Sequence, residues 1–329
     1  MCEHHFHAYG ESKGTHSHSL TGDRPGQVFT TRTPRIIAAR KLLTATGRRK
    51  SKKFVVEGYN GVDGALEAGL VDEVFLTESA WEKFPDLRER FQNRRITTSL
   101  IDHQAATSLS ATVTYSGVFA VCGLLSTSVD VCIRQAQQGR GLVAVAVNMS
   151  DPGNAGTFIR TADAVGADCV VFLGESVDIH NGKTVRSSAG SVFRISIGRD
   201  RHVQNSLDRF SSRGFQMIAT TVDGETSLDK EADLAAHWRA RMTVPLDVSG
   251  QPSGQELGGG NVPILARSSV WLFGNEAHGL PDDIAEAADY RIRIPIKGSA
   301  ESFNVSAAAA ITLYEASRAL GAPHGVATL

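Results

Sequence analysis

Three segments in the C-terminal half of this chain carry polar residues where an α/β protein places its chemistry. In the first, an apolar run at 142–147 ends on Asn148, an Asp151-Pro152-Gly153 turn follows, and Asn154 is a good N-cap for a helix to about Ala167. On that helix Ala155, Phe158, Ile159, Ala162, Val165 and Gly166 share an apolar face, which turns Arg160 away from the core. A helical arginine usually ends in solvent. Here, however, Asn148 and Arg160 lie at or just beyond the C-terminal edge of a strand, where open α/β sheets bind ligands. The second segment, Val270 to Pro281, is a strand running into a tight turn at Gly274. The missing side chain there lets backbone and ligand approach closely and exposes neighbouring N–H and C=O groups. Glu276 in that turn either caps the helix starting near Pro281 or acts on a ligand, and both readings stay open. In the third segment Ser302 and Asn304 precede a helix. Its Val305, Ala308, Ala309, Thr312, Leu313 and Ala316 form a narrow face of small residues suited to close packing. Either polar residue suits the N-cap, a role compatible with binding.

The elements that position these residues form a repeating pattern. Apolar strands are expected at 142–147, 169–173, 193–197, 216–220, 269–273 and 291–295, separated by helical segments, which implies a mostly parallel sheet covered on both faces. Between Asp229 and Ser268, Pro245, Pro252, Pro263 and the run Gly258-Gly259-Gly260 interrupt regular structure, so 229–268 is expected to be an inserted surface loop. The second domain then spans 141–322 with a short tail at 323–329, and the polar stretch 126–140 is a helical or extended linker. Upstream, a basic helical stretch from Thr33 to about Lys53 leads into the strand Phe54–Gly58. A helical pattern through Val62, Ala65, Leu66 and Gly69, a strand at 71–77, an amphipathic stretch around Trp81–Phe91 and apolar runs at 96–101 and 117–125 complete a small α/β domain at 29–125. Residues 1–28 have almost no apolar periodicity and are expected to be a disordered tail. Five of the eleven histidines fall there, but no fold holds them together as metal ligands, and no metal is expected.

Composition narrows the function. The chain has 41% hydrophobic and 21% charged residues, ordinary for a globular protein. No run approaches the length of a membrane span, and the N-terminus lacks the apolar core of a signal peptide. Cys2, Cys122, Cys132 and Cys169 have no paired spacing, which fits a reducing cytoplasm. Net charge is only -1, yet nine basic residues and no acidic ones lie between Thr30 and Lys53: Arg32, Arg35, Arg40, Lys41, Arg48, Arg49, Lys50, Lys52 and Lys53. Such a patch can neutralise phosphates, which makes nucleic acid the expected partner. A nucleotide-dependent oxidoreductase would use a similar sheet, and Gly139-Arg140-Gly141 mimics its glycine fingerprint. Those glycines precede a strand instead of following one, so the required context fails.

The three segments, in this order and with Arg186 to Ser191 between them, resemble the motifs of the SpoU (TrmH-type) branch of the SPOUT methyltransferases over residues 142–320. The region 33–77 resembles the L30e-like RNA-binding domain placed before such catalytic domains. Together they resemble the rRNA-directed members, including the thiostrepton-resistance type. The resemblance implies an α/β fold with a deep C-terminal trefoil knot, an exception to the rule against threaded chains. It also implies a homodimer and S-adenosylmethionine held through contacts near Thr221, Gly274, Ile294 and Phe303, the last standing where the family commonly has leucine. By the same resemblance Arg160 acts on a ribose 2'-hydroxyl, while Asn148, Glu276, Ser302 and Asn304 position the hydroxyl, the loops and the dimer-related site. Glu276 also has an electrostatic role open to it near a sulfonium. The expected substrate is 23S rRNA, with tRNA as the alternative substrate and a non-catalytic RNA-binding factor as the alternative function. Reversing Arg49 and Lys50 to Glu is expected to weaken RNA binding and flatten its dependence on salt. A salt titration with an unchanged slope contradicts that assignment.

Overall fold

A computed structural model describes residues 28–110, 112, 115–242 and 262–321. Residues 1–27 of the tail expected at 1–28, the tail expected at 323–329, and residues 243–261 of the expected insertion lie outside the described residues. Among the described residues no helix is long and apolar enough to cross a membrane.

The N-terminal part runs α1 (Pro34–Lys41), α2 (Ala45–Ser51), β1 (Lys53–Glu57), α3 (Tyr59–Glu67), β2 (Val71–Leu76), α4 (Glu78–Lys83), α5 (Pro85–Asn93), β3 (Thr97–Leu100), α6 (His103–Leu109) and β4 (Val118–Gly123). Its sheet has the order β1-β4-β2-β3, with β4 antiparallel to both neighbours. The single basic helix expected over 33–53 is two helices. Thr44 breaks it, since its hydroxyl accepts from Gly47 N at 3.1 Å and starts α2 afresh. One face of the sheet packs Val55, Phe75 and Phe119 on Ile36, Ala39 and Leu109.

The C-terminal part runs α7 (Val129–Gln138), β5 (Leu142–Val147), α8 (Pro152–Ala164), β6 (Cys169–Leu173), α9 (Gly182–Ser187), β7 (Ser196–Asp200), α10 (Val203–Ser211), β8 (Gln216–Thr220), β9 (Thr226–Ser227), α11 (Leu228–Met242), β10 (Ser269–Phe273), α12 (Asp282–Glu286), β11 (Tyr290–Arg293) and α13 (Val305–Leu320). The strands pair in parallel in the order β7-β6-β5-β10-β8-β11-β9. All six residues of β5 are buried because the strand is covered on both sides. Ala144 and Ala146 join Phe158, Phe172, Trp271 and Leu313 on one face. Val143, Val145 and Val147 join Ile133, Leu207, Phe210 and Leu272 on the other.

Three boundaries differ from expectation. The stretch read as a linker contains α7, whose Val129, Cys132, Ile133 and Ala136 are buried against the sheet. The expected loop 229–268 begins with α11, because the prolines stand only from Pro245 onward and Leu228, Ala232 and Ala235 supply a buried stripe. The strand expected at 193–197 starts at Ser196, since Ser191–Phe193 is a 3-10 turn.

The two parts share a core. Phe54 meets the Phe193 ring at 6.1 Å and the His180 ring at 4.9 Å, and residues of both parts belong to one buried cluster. At the far end of the chain Arg140 fastens α13, donating to Ser317 Oγ at 2.9 Å and to the Val165 carbonyl at 3.2 Å.

Candidate functional site

Because the strands are parallel, their C-terminal ends gather on one edge, and the sequence-identified residues follow those ends: Asn148 after β5, Gly274 after β10, Thr221 after β8 and Ile294 after β11. The loops there are joined by hydrogen bonds. Asn148 adopts a left-handed conformation with φ of 55°. Its Oδ1 accepts from Glu175 N at 2.9 Å, and its carbonyl accepts from Asn275 Nδ2 at 2.8 Å. Asn148 therefore ties the loops after β5, β6 and β10 together.

Glu276 does not cap the helix near Pro281. Its carboxylate instead faces the start of α8, accepting from Ser150 N at 3.4 Å, Ser150 Oγ at 3.3 Å, Asp151 N at 3.3 Å and Asn154 Nδ2 at 3.1 Å. Partial burial opposes its charge. The N–H donors outweigh that and hold the carboxyl below its ordinary range. The turn that carries Glu276 closes on itself through Asn275 N to Gly279 O and Gly279 N to Asn275 O, both 2.9 Å. A Cβ on Gly274 would lie 2.0 Å from the Gly279 carbonyl carbon, so this glycine is needed first for the chain's own close approach.

Asn154 is not the N-cap of α8. Asp151 is, accepting from Asn154 N at 2.8 Å, with Pro152 in the first turn, a position that suits its fixed φ and missing N–H. Asn154 is thereby free to bridge. Its Nδ2 donates to Glu276 and its Oδ1 accepts from Asn304 Nδ2 at 3.1 Å, while its carbonyl accepts from Ser306 Oγ at 3.0 Å. An ionised carboxylate only accepts, which fixes the orientation of the Asn154 amide. Asn304 caps α13 through Ser306 N at 2.9 Å. The sequence alone points Asn154 to capping and so leaves it out of the site. The Asp-Pro pair before it already supplies a cap, and that was the available signal.

Two candidates stand apart from this network. Arg160 is exposed on α8, six residues or roughly 9 Å along the axis from Asn154, without a hydrogen bond or ion pair among the described residues. Ser302 is exposed and likewise makes no contact with the network.

The cofactor candidates fit a polar ligand with an apolar body. Thr221 N donates to Ile292 O at 3.2 Å, but its Oγ1 is buried without a hydrogen-bond partner, leaving one polar atom for a ligand to satisfy. Ile294 is half-buried against the core, and Phe303 remains 42% exposed.

The basic patch is partly compensated. Arg35 pairs with Glu73 at 2.5 Å and lies 5.4 Å from the Phe29 ring, and Lys53 pairs with Asp72 at 3.0 Å. Arg48, expected to face RNA, is only 5% exposed because Asp178 and two backbone carbonyls enclose its guanidinium. Arg32, Arg40, Lys41, Arg49, Lys50 and Lys52 stay exposed, with no ion pair among the described residues.

The family model of the SpoU rRNA Methylase family matches residues 141–314. The 23S rRNA (guanosine(2553)-2'-O)-methyltransferase RlmP of Bacillus subtilis (strain 168) is 30% identical over 281 residues, covering 84% of this chain and 92% of its own length. An AdoMet-bound rRNA methyltransferase from Sinorhizobium meliloti superposes with a TM-score of 0.67 at 26% identity, covering 90% of this chain and 100% of that one. The SpoU methyltransferase AviRb from Streptomyces viridochromogenes, in complex with AdoMet, gives 0.64 at 25% identity, covering 87% of this chain and 98% of that one.

The depressed Glu276 pKa has a sign. Its stabilisation is complete above the ordinary carboxylate value of 4.5 and is lost as pH falls through the folded value. Glu276→Gln is therefore expected to lower the melting temperature at about pH 7, with a smaller gap from wild type at a pH well below the ordinary carboxylate value of 4.5. Thermal unfolding at both pH values checks this, and a gap independent of pH contradicts it.

Proposed function

The chain belongs to the SpoU rRNA methylase family, and we propose that it is an S-adenosylmethionine-dependent methyltransferase acting on a ribose 2'-hydroxyl of 23S rRNA. The observation that carries this reading is the Glu276–Asn154–Asn304 bridge, which holds the three motif segments together at the sheet edge that also bears the unpartnered Thr221 Oγ1.

Thr221, the turn at Gly274, Ile294 and Phe303 would hold S-adenosylmethionine: Thr221 Oγ1 and main-chain groups for its polar atoms, Ile294 and Phe303 for its apolar surface. When bound, it supplies an electrophilic sulfonium methyl group. Transfer is an in-line displacement, so the work of the chain is to align the 2'-oxygen and manage its proton. Glu276 brings negative charge to this edge, where it complements a sulfonium. Asn154 and Asn304 keep that carboxylate and the start of α13 in register. Arg160 has a free guanidinium to engage the 2'-hydroxyl. A guanidinium offers only N–H donors and no acceptor site, so its role is to hold the 2'-oxygen and a neighbouring phosphate, which helps take the proton.

The same reading includes a trefoil knot, an L30e-like N-terminal domain, a homodimer and a cytoplasmic location. The return of the chain from β11, on one side of β8, to α13 packed on α8 supports the knot. The exposed cations of α1, α2 and Lys52 support RNA binding by the N-terminal domain. Phe303, Ile311 and Tyr314 leave apolar surface on and beside α13, which supports dimerisation. Buried Cys122, Cys132 and Cys169, all free thiols, suit a reducing compartment.

Arg160→Ala is expected to retain S-adenosylmethionine binding by calorimetry and to lose methyl transfer to rRNA. A fully active variant would move the reacting role to another residue.

A further inference from the structure

The join between the two domains is as specific as the site itself. Where α1 ends, Leu42 and Leu43 leave carbonyls without helical partners, and Arg48 Nη1 donates to them at 3.2 and 3.0 Å. The other edge of the same guanidinium crosses to the catalytic domain, with Nε and Nη2 at 3.0 and 2.7 Å from Asp178 Oδ2. Asp178 Oδ1 accepts from His180 N at 3.0 Å and lies 3.2 Å from His180 Nδ1. His180 Nε2 accepts from Leu125 N at 3.0 Å, which leaves the ring proton on Nδ1, aimed at Asp178. A second crossing joins Arg186 to Glu57 at 3.3 Å.

Asp178 lies in the loop after β6, and that loop is bound to the first motif. Glu175 N donates to Asn148 Oδ1 at 2.9 Å, Met149 N to Ser176 Oγ at 3.1 Å and Val177 N to Met149 O at 2.8 Å. From Arg48 the connection thus runs through one carboxylate and one short loop to Asn148, Ser150 and Glu276. Arg49 and Lys50, the next two residues of α2, and Lys52 just after it are exposed.

We infer that the Arg48–Asp178–His180 cluster, in which Arg48 is buried and its two partners are half-buried, fixes the phosphate-binding face of α2 at a set distance from the methyl-transfer edge. The N-terminal domain then acts as a rigid gauge that determines which ribose of a bound RNA is presented, and Arg48 is a specificity-determining positioning residue that does not itself touch RNA. This rests on the function proposed above. A planar guanidinium satisfied on two edges resists rotation in a way a single-point contact does not, so the join transmits orientation as well as attachment.

The test compares full-length wild type, Arg48→Met and His180→Gln on a 23S rRNA transcript, with thermal unfolding to establish that each variant is folded. RNA affinity, kcat/KM and the position of each 2'-O-methyl are measured. The expected result is an affinity within about threefold of wild type, with kcat/KM lowered about a hundredfold, the scale of a 1 Å misplacement, or methyl groups spread to neighbouring riboses. If Arg48→Met does not fold, His180→Gln, which keeps the Arg48 ion pair but loosens the Leu125 anchor, is expected to show the same pattern more weakly. Methylation of the single wild-type ribose at the wild-type rate overturns the inference, as does a loss of RNA affinity in proportion to the loss of rate. Wild-type protein that methylates no RNA overturns the proposed function and this inference with it.

Discussion

A carboxylate set against the first N–H groups of a helix organises the edge of the sheet where the candidate site lies. Glu276, at the tip of the turn after β10, faces Ser150 N, Asp151 N and the Asn154 amide at the start of α8. Helix N-termini present unpaired donors and a positive dipole end, so the ionised side chain is favoured there and two loops distant in sequence are drawn together. Asn154 extends the same contact to Asn304 and α13. Each remaining feature of the sheet edge is referred to this junction: the Asn148 loop beside it, the turn closed by Gly274 and Gly279 beneath it, and the unpartnered Thr221 hydroxyl just after the neighbouring strand β8.

Holding that junction requires strands that do not shift, and this is where burial acts. β5 and β10 are buried along their whole length, sandwiched between the small-residue face of α13 with α8 on one side and α7 with α10 on the other. Ala309, Leu313 and Ala316 bring α13 close to the sheet. Arg140 then fixes the far end of that helix to the carbonyl at the end of α8. Polar atoms at the edge are thus held by hydrogen bonds to loops whose strands are locked by packing, the arrangement that preorganises a site.

The parallel sheet was legible because strands buried on both faces read as unbroken apolar runs: 142–147, 169–173, 216–220 and 269–273 all fall on strands. The position of the site was legible from where those runs end. What escaped depends on partners far along the chain. Arg48 looks like any other member of a basic run, and only Asp178, 130 residues away, removes it from the surface. Asn154 looks like a cap until the Asp151 carboxylate is seen to fill that role. Glu276 leaves capping of the nearer helix and action on a ligand equally open in the sequence, whereas the helix start that its carboxylate faces comes 125 residues earlier. α11 was hidden by prolines and glycines that follow it, although its own residues carry none. The reaction came from the resemblance of three ordered motifs, because the spacing of the residues alone does not specify methyl transfer.

The central claim, that this chain methylates a ribose hydroxyl of 23S rRNA, is tested most directly by mapping 2'-O-methylation across total RNA from cells with and without the gene. The account predicts the loss of a 2'-O-methyl mark in 23S rRNA and its return when the gene is restored. An unchanged rRNA pattern, or the loss of a tRNA mark instead, would contradict it.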